Sequence, residues 1–290
     1  MAERLSDLET QIENMGELSS VVSAYRGIAA ARLNDAQQRL DGIRSYAATV
    51  AEAIGQVLGL VRQDAGLAPF RPDLATHLVI VLCSEQGFVA NFNNRVLDEA
   101  ERFLQSGAVA RHRLLVVGDR GLSLAEERGL TVQWTAPMAA HAEEVIPLGN
   151  RLAEALFDEL EDPTVSLATI VHAVPGQREQ QVLARRLIPF DFERFAPIRR
   201  PVPPLLTLPL EDLVSQLAEE YVFAELCEAI MLSYAAENEM RMMAMLSARN
   251  NVSERLDELN ASARRVRQEE ITAEITELAA GVEAGGGIDQ

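Results

Sequence analysis

The sequence predicts an α+β/α/β protein: a long antiparallel two-helix coiled coil made by its N- and C-terminal segments, with a small α/β (Rossmann-like) domain inserted between them. Three observations predict it. Apolar residues recur in steps of three and four at both ends of the chain, no proline occurs before Pro69 or from Leu210 to the glycine run 285–287, and the middle of the chain changes to short apolar runs of strand length.

The first helix is read from Leu33, Ala36, Leu40, Ile43, Ala47, Val50, Ile54, Val57 and Val61, which form a heptad seam. The same rhythm reaches back through Leu5, Leu8, Ile12, Met15 and Val22, with Ser19 and Arg26 as weak positions. A helix of nearly 60 residues would be roughly 85–90 Å long. Glycines 16, 27, 42, 55 and 59 weaken it locally and mark bends or close helix–helix approach. The last helix repeats the pattern at Met231, Tyr234, Asn238, Met242, Met245, Arg249, Val252, Leu256, Leu259, Ala263 and Val266, a seam with polar interruptions. Single amphipathic helices of this length do not hold alone, so they pair with each other, with partners, or both.

Between the helices, residues 78–83 (LVIVLC), 114–117, 165–174 and 183–190 read as strands, several of them apolar on both faces, as in a covered parallel sheet. Helical stretches 93–105 and 143–161 alternate with them, which favours mainly parallel strands in an α/β layer. Pro69 and Pro72 separate this domain from the first helix, and the run Pro197 to Pro209 separates it from the last. The expected division is 1–68 shaft helix, 69–209 globular domain, 210–284 shaft helix and 285–290 flexible tail.

Composition narrows the function. With 48% apolar residues the chain can build a core, and it carries a formal net charge of −18 with all 26 basic residues arginine. An acidic surface repels phosphate backbones and anionic lipid heads, so nucleic acid is not an expected partner. The stretch Ala47 to Val61 is interrupted by Glu52 and Gln56 and falls short of a membrane span, and the N-terminus lacks the basic start and apolar centre of a signal peptide. Cys83 and Cys227 are expected to be buried and inert, and His77, His112, His141 and His172 are scattered singly, so no metal or cofactor is expected.

Chemistry is sought first at Ser84 to Asn91, because ligands of α/β sheets sit at strand C-termini. The segment lacks the glycine spacing of a dinucleotide or phosphate loop, and a tight turn into the next helix is the better reading. Gly118-Asp119-Arg120-Gly121 likewise reads as a turn. No Ser/His/Asp order, Cys/His pair or carboxylate pair emerges. In the cluster Met240, Met242, Met243 and Met245, helical geometry puts 242 and 245 on the seam and turns 240 and 243 away, toward a second surface, with Arg241 and Arg249 beside them.

The segment 239–284, with EMRMMAMLSARNN and ITAEITELAAGVEA, resembles the gamma subunit of rotary ATP synthases. Ile271, Thr272, Glu274, Glu277 and Gly281 fall at the family spacing, with Val282 where alanine is usual. RGIAAARLNDAQ at 26–37 is similar to the family's first helix, and LCSEQGFVANFN at 82–93 to its strand–turn–helix lead-in. The resemblance implies a noncatalytic rotor. Its paired helices would sit inside a ring of alpha and beta subunits, with the α/β domain at the foot against the epsilon subunit and the c ring, on the cytoplasmic face of the bacterial inner membrane.

By residue match, the resemblance places Tyr25, Arg241, Gln268, Thr272 and Glu274 at contacts with the catalytic ring, and it implies that Arg241→Ala weakens coupling more than folding. Glu13 and Glu17 stand where the family's first helix is usually lysine-rich, a departure that suggests a variant complex, such as the atypical second ATPase of some bacteria. Periodicity alone leaves open a non-rotary coiled-coil scaffold or tether, and an α/β enzyme with a helical arm.

Overall fold

A computed structural model of the chain describes residues 2–60, 76–106, 111–176, 181–198 and 205–285. Val61, Pro69, Pro72, part of the Pro197 to Pro209 run and the tail past residue 285 lie outside the described residues. The elements in chain order are α1 (Ala2–Leu58), β1 (Thr76–Leu82), α2 (Phe92–Gln105), β2 (Arg111–Val117), α3 (Asp119–Glu127), β3 (Trp134–Ala136), α4 (Val145–Leu160), β4 (Val165–Val174), β5 (Gln181–Ile188) and α5 (Leu210–Gly285). One-turn 3-10 segments at Ala142–Glu144 and Phe192–Arg194 precede α4 and follow β5. Two compact units divide the chain, one of Met1–Ile28 with Met242–Gln290 and the other of Ala29–Arg241, and both long helices contribute to each.

The larger unit is built on a five-stranded mixed sheet in the order β3-β2-β1-β4-β5. β1 pairs in parallel with β2 and β4, β2 in parallel with β3, and only β5 runs antiparallel. β1 is buried along its whole length because it is central and covered on both faces, which is what an uninterrupted apolar run specifies. On one face Leu78, Ile80, Leu82 and Ile170 pack with Leu148, Leu152 and Leu156 of α4, Ala36 and Leu40 of α1, and Leu226, Ile230 and Tyr234 of α5. On the other, Val79, Val81, Leu114 and Val171 pack with Phe92, Val96 and Leu97 of α2 and Ala125 of α3. Gly149 permits the approach of α4 to α5, since a Cβ there would lie 2.6 Å from Cys227 Sγ.

The seam of α1 holds within this unit: Ala36, Leu40, Val50, Ile54 and Val57 are buried. Arg44 and Tyr46 bond Glu228 and Glu220 of α5, so positions rise along α1 as they fall along α5 and the helices are antiparallel. Glycines 55 and 59 do mark a close approach, but to backbone after β5 rather than to a helix. A Cβ on Gly55 would lie 2.8 Å from the Ala196 carbonyl oxygen, and one on Gly59 would lie 2.4 Å from that of Ile198. That segment is held by an aromatic cluster in which Phe190 and Phe195 stack and Tyr221 meets both edge-on, over Val50 and Ile54.

In the smaller unit Val22 of α1 and Met245, Val252, Leu259, Ala263 and Val266 of α5 are buried, while Leu5, Leu8, Ile12 and Met15 are half-buried, so the seam is again the packed face. Arg249 is exposed and interrupts it. Arg267 Nη2 donates to Glu9 Oε1 at 2.8 Å.

Two elements differ from the sequence expectation. Residues 118–121 are not an isolated turn: Gly118 has φ of 101° and caps α3, which begins at Asp119. β3, three residues long, lies below the length at which alternation can be read.

Candidate functional site

The turn after β1 is closed by its own side chains. Ser84 N–H donates to Asn93 Oδ1 at 2.9 Å, Asn93 Nδ2 donates to Ser84 Oγ at 2.9 Å, and Ser84 Oγ donates to the Gln86 carbonyl at 3.0 Å. Glu85 Oε2 accepts from Met138 N–H at 2.8 Å and from Asp119 N–H at 3.3 Å, where its charge also faces the N-terminus of α3. The backbone reverses tightly enough that Phe88 and Ala90 take φ of 61° and 47°, and the Phe88 side chain stands in solvent.

The strand order changes direction beside β1, between β1 and β4, and the crevice at such a point is where α/β sheets take ligands. Here α5 occupies it. Ser233 Oγ donates to the carbonyl of Leu82 at the end of β1 at 3.3 Å, and Glu239 Oε2 accepts from Gly176 N–H beyond β4 at 2.9 Å. Tyr234 and Ala235 belong to the core on one face of the sheet and Ala236 to that on the other, so α5 is buried on all sides through this stretch. Among the described residues no cluster of histidine, cysteine or carboxylate side chains could hold a metal ion, and no helix is long and apolar enough to cross a membrane.

Arg241 lies at the end of this buried stretch and is itself only 5% exposed. Its Nη2 donates to Glu237 Oε1 at 2.5 Å and its Nη1 to Asn238 Oδ1 at 3.2 Å. Burial pushes the Glu237 carboxyl up to about 7 against the opposing pull of Arg241. A guanidinium expected on a partner-facing surface is therefore paired inside the chain. Both cysteines are buried, and burial pushes each thiol up to about 12, so neither is a thiolate at neutral pH.

The other four residues matched to ring contacts belong to the smaller unit and are exposed: Tyr25 on α1, and Gln268, Thr272 and Glu274 on α5. Thr272 Oγ1 donates to the Gln268 carbonyl at 2.8 Å, one turn back on the helix, and both residues are exposed. Tyr25 is one of four exposed apolar side chains, with Leu18, Val21 and Ile28, that run along α1 one residue ahead of the buried seam. Met243 and Leu246 make a similar exposed pair on α5, one position past the buried seam residue Met245 and half-buried Met242, and Met240 turns to the sheet core instead. Past Val266 none of the described side chains of α5 is buried, although Ile271, Ile275 and Leu278 are large and apolar. These stripes could have been found in the sequence, since Leu18, Val21, Tyr25 and Ile28 keep the same three-and-four spacing, but the better-filled seam beside them masks it. Exposed apolar side chains in a row at helical spacing are the pattern by which one face of a helix docks in a groove.

Comparison with known proteins converges on one group. A family model described as ATP synthase matches residues 4–284. The ATP synthase gamma chain of Solibacter usitatus is 28% identical over 287 residues, covering 97% of this chain and 98% of that one. The gamma chain of Chlorobium luteolum is 29% identical over 296 residues with the same coverage. Among solved structures, a chain of the Euglena gracilis mitochondrial ATP synthase assembly of OSCP, F1 and c-ring superposes with a TM-score of 0.65 at 14% identity, covering 100% of this chain and 98% of that chain.

Proposed function

We infer, from the premise that the chain belongs to the ATP synthase gamma family, that it is the central-stalk subunit of a rotary ATP synthase, a noncatalytic part that couples ion flow to nucleotide chemistry in other subunits. The structural observation that carries the noncatalytic reading is the crevice at the end of β1 and β4: the place an α/β enzyme would use for a ligand is filled by α5, through Ser233 and Glu239. Alpha and beta subunits and the c ring are the partners this reading requires, with epsilon as a further one, on the cytoplasmic face of a bacterial inner membrane.

The helices α1 and α5 serve as a coiled-coil shaft and the sheet as a Rossmann-like domain, with residues 1–68 and 210–284 assigned to the shaft and 69–209 to the domain. Tyr25, with its neighbours Leu18, Val21 and Ile28, and Gln268, Thr272 and Glu274 meet the catalytic ring. Their exposure supports this, as does the lack of cover over Ile271 and Ile275. Arg241 is matched to the same ring, and in the chain alone its guanidinium is buried and paired with Glu237 four residues earlier on α5. Purification of the tagged chain from its host in mild detergent tests the assignment. Recovery of alpha, beta and epsilon subunits with ATPase activity supports it, and recovery of a lone homodimer supports the tether instead.

A further inference from the structure

From residue 222 to 238 α5 is almost wholly buried in the sheet domain, but from 210 to 221 none of its residues is. At that end the helices are tied to the domain by the chain after β5, which bonds α1 through Ile198 N–H to the Gly55 carbonyl at 2.7 Å. The same end carries a connected set of charges. Glu228 of α5 accepts from Arg44 Nε of α1 at 2.9 Å and from Arg185 Nη1 of β5 at 3.2 Å. One turn earlier on α5, Glu225 pairs with Arg194 Nη2 at 2.9 Å and lies 3.8 Å from Arg185 Nη1. Two carboxylates on one face of α5 are thus bolted to α1, to β5 and to the segment after β5.

Glu225 is 4% exposed and has two guanidinium partners. Burial raises the Glu228 carboxyl, yet the hydrogen bonds from Arg44 and Arg185 outweigh it and leave the group below its ordinary range. The apolar contacts around them resist separation but have no direction, so they resist sliding and twisting weakly. Charge-assisted hydrogen bonds are short and directional, and fix an angle. Arg102 with Glu99, by contrast, is a pair within α2 and joins no two elements.

We propose that Glu225 and Glu228 are positioning residues that fix the angular register of α1 and α5 against β5, so that torque delivered to the sheet domain is passed to the helix pair without slip. The proposal rests on the central-stalk reading. It concerns transmission within this one chain and assigns no contact to a partner subunit.

The test uses the holoenzyme carrying E225Q/E228Q, which removes both charges while keeping shape. The complex is placed in vesicles, and the initial rate of ATP-driven membrane potential, read with a potential-sensitive dye, is divided by the rate of ATP hydrolysis. The expected result is a ratio lowered roughly 2- to 30-fold, with hydrolysis retained and with R102Q unchanged from wild type. A ratio equal to wild type, or equal losses of charge transport and hydrolysis, overturns the proposal. Should the double variant fail to assemble, E228Q alone makes the same comparison, with a fall of at least about 2-fold expected and an unchanged ratio again decisive against it. Failure of the parent reading looks different: wild-type holoenzyme would then generate the same potential with this chain omitted.

Discussion

Arg241 and Glu237, one turn apart on α5, form an ion pair in which both side chains are almost wholly buried, with Nη2 and Oε1 2.5 Å apart. A buried pair contributes little net stability while intact, but removing one partner strands the other. Arg241→Ala should therefore destabilise the isolated chain by about 3–5 kcal/mol, measured by denaturant unfolding. The resemblance implies a loss of coupling greater than the loss of folding, and the buried pair adds this folding cost to it. The Arg241→Met/Glu237→Gln double variant should recover most of the loss, and failure to recover would show that the pair is not the cause.

Acid should weaken the fold through two histidines. Burial pushes both His77 and His172 down to about 4, with a smaller push in the same direction from Arg186 and Arg185 respectively. His77 lies in β1 bonded to Thr169 Oγ1 at 2.8 Å, and His172 lies in β4. Below their ordinary pKa of about 6.5, the unfolded chain takes up protons that the folded chain refuses. Stability is therefore lost as pH falls from there toward 4. Glu237, raised to about 7, takes up a proton on folding over much of the same range and offsets one of the two. The net slope from this trio is about 1.4 kcal/mol per pH unit between about pH 6 and 4.5. His77→Gln/His172→Gln should remove this decline in thermal melts, and an unaltered slope would contradict the assignment.

The exposed row on α1 should matter for assembly and not for folding. Tyr25→Asp with Ile28→Asp should change unfolding free energy by less than about 1 kcal/mol and weaken binding to a preformed ring of alpha and beta subunits by at least about 10-fold. Calorimetric titration of the ring with the variant chain measures it. Unchanged affinity would remove this row from the interface.

The sequence read as a pattern was most informative where one period runs unbroken. The seams of both long helices, the presence of β1 and the extent of β4 were legible because Val79, Ile80 and Val81 lie in a strand covered on both faces and Leu40, Val50 and Ile54 on a helix face that is buried. α3 was hidden because Gly118 to Gly121 carries turn residues that here serve as a helix cap, and β3 because three residues hold no period. The burial of Arg241 was not legible either. It depends on Glu237 and Asn238 being enclosed where α5 enters the crevice beside β1, and that enclosure comes from tertiary packing that no local spacing records.

Hydrogen exchange on the isolated chain should show α5 losing protection past Val266, where its described side chains cease to be buried. Protection of residues 270–276 equal to that of Leu78 to Leu82 would contradict this, and the difference should shrink when the chain is bound in its complex.

Rotation is the most direct test of the central-stalk assignment. Cys83 and Cys227 are buried with unreactive thiols, so a cysteine introduced at exposed Glu127 near the end of α3 can be labelled alone. With the alpha and beta ring immobilised and a bead attached at Glu127→Cys, ATP should drive stepwise rotation of the bead in one direction. Complexes that hydrolyse ATP while the bead stays fixed or only fluctuates about one angle would contradict it.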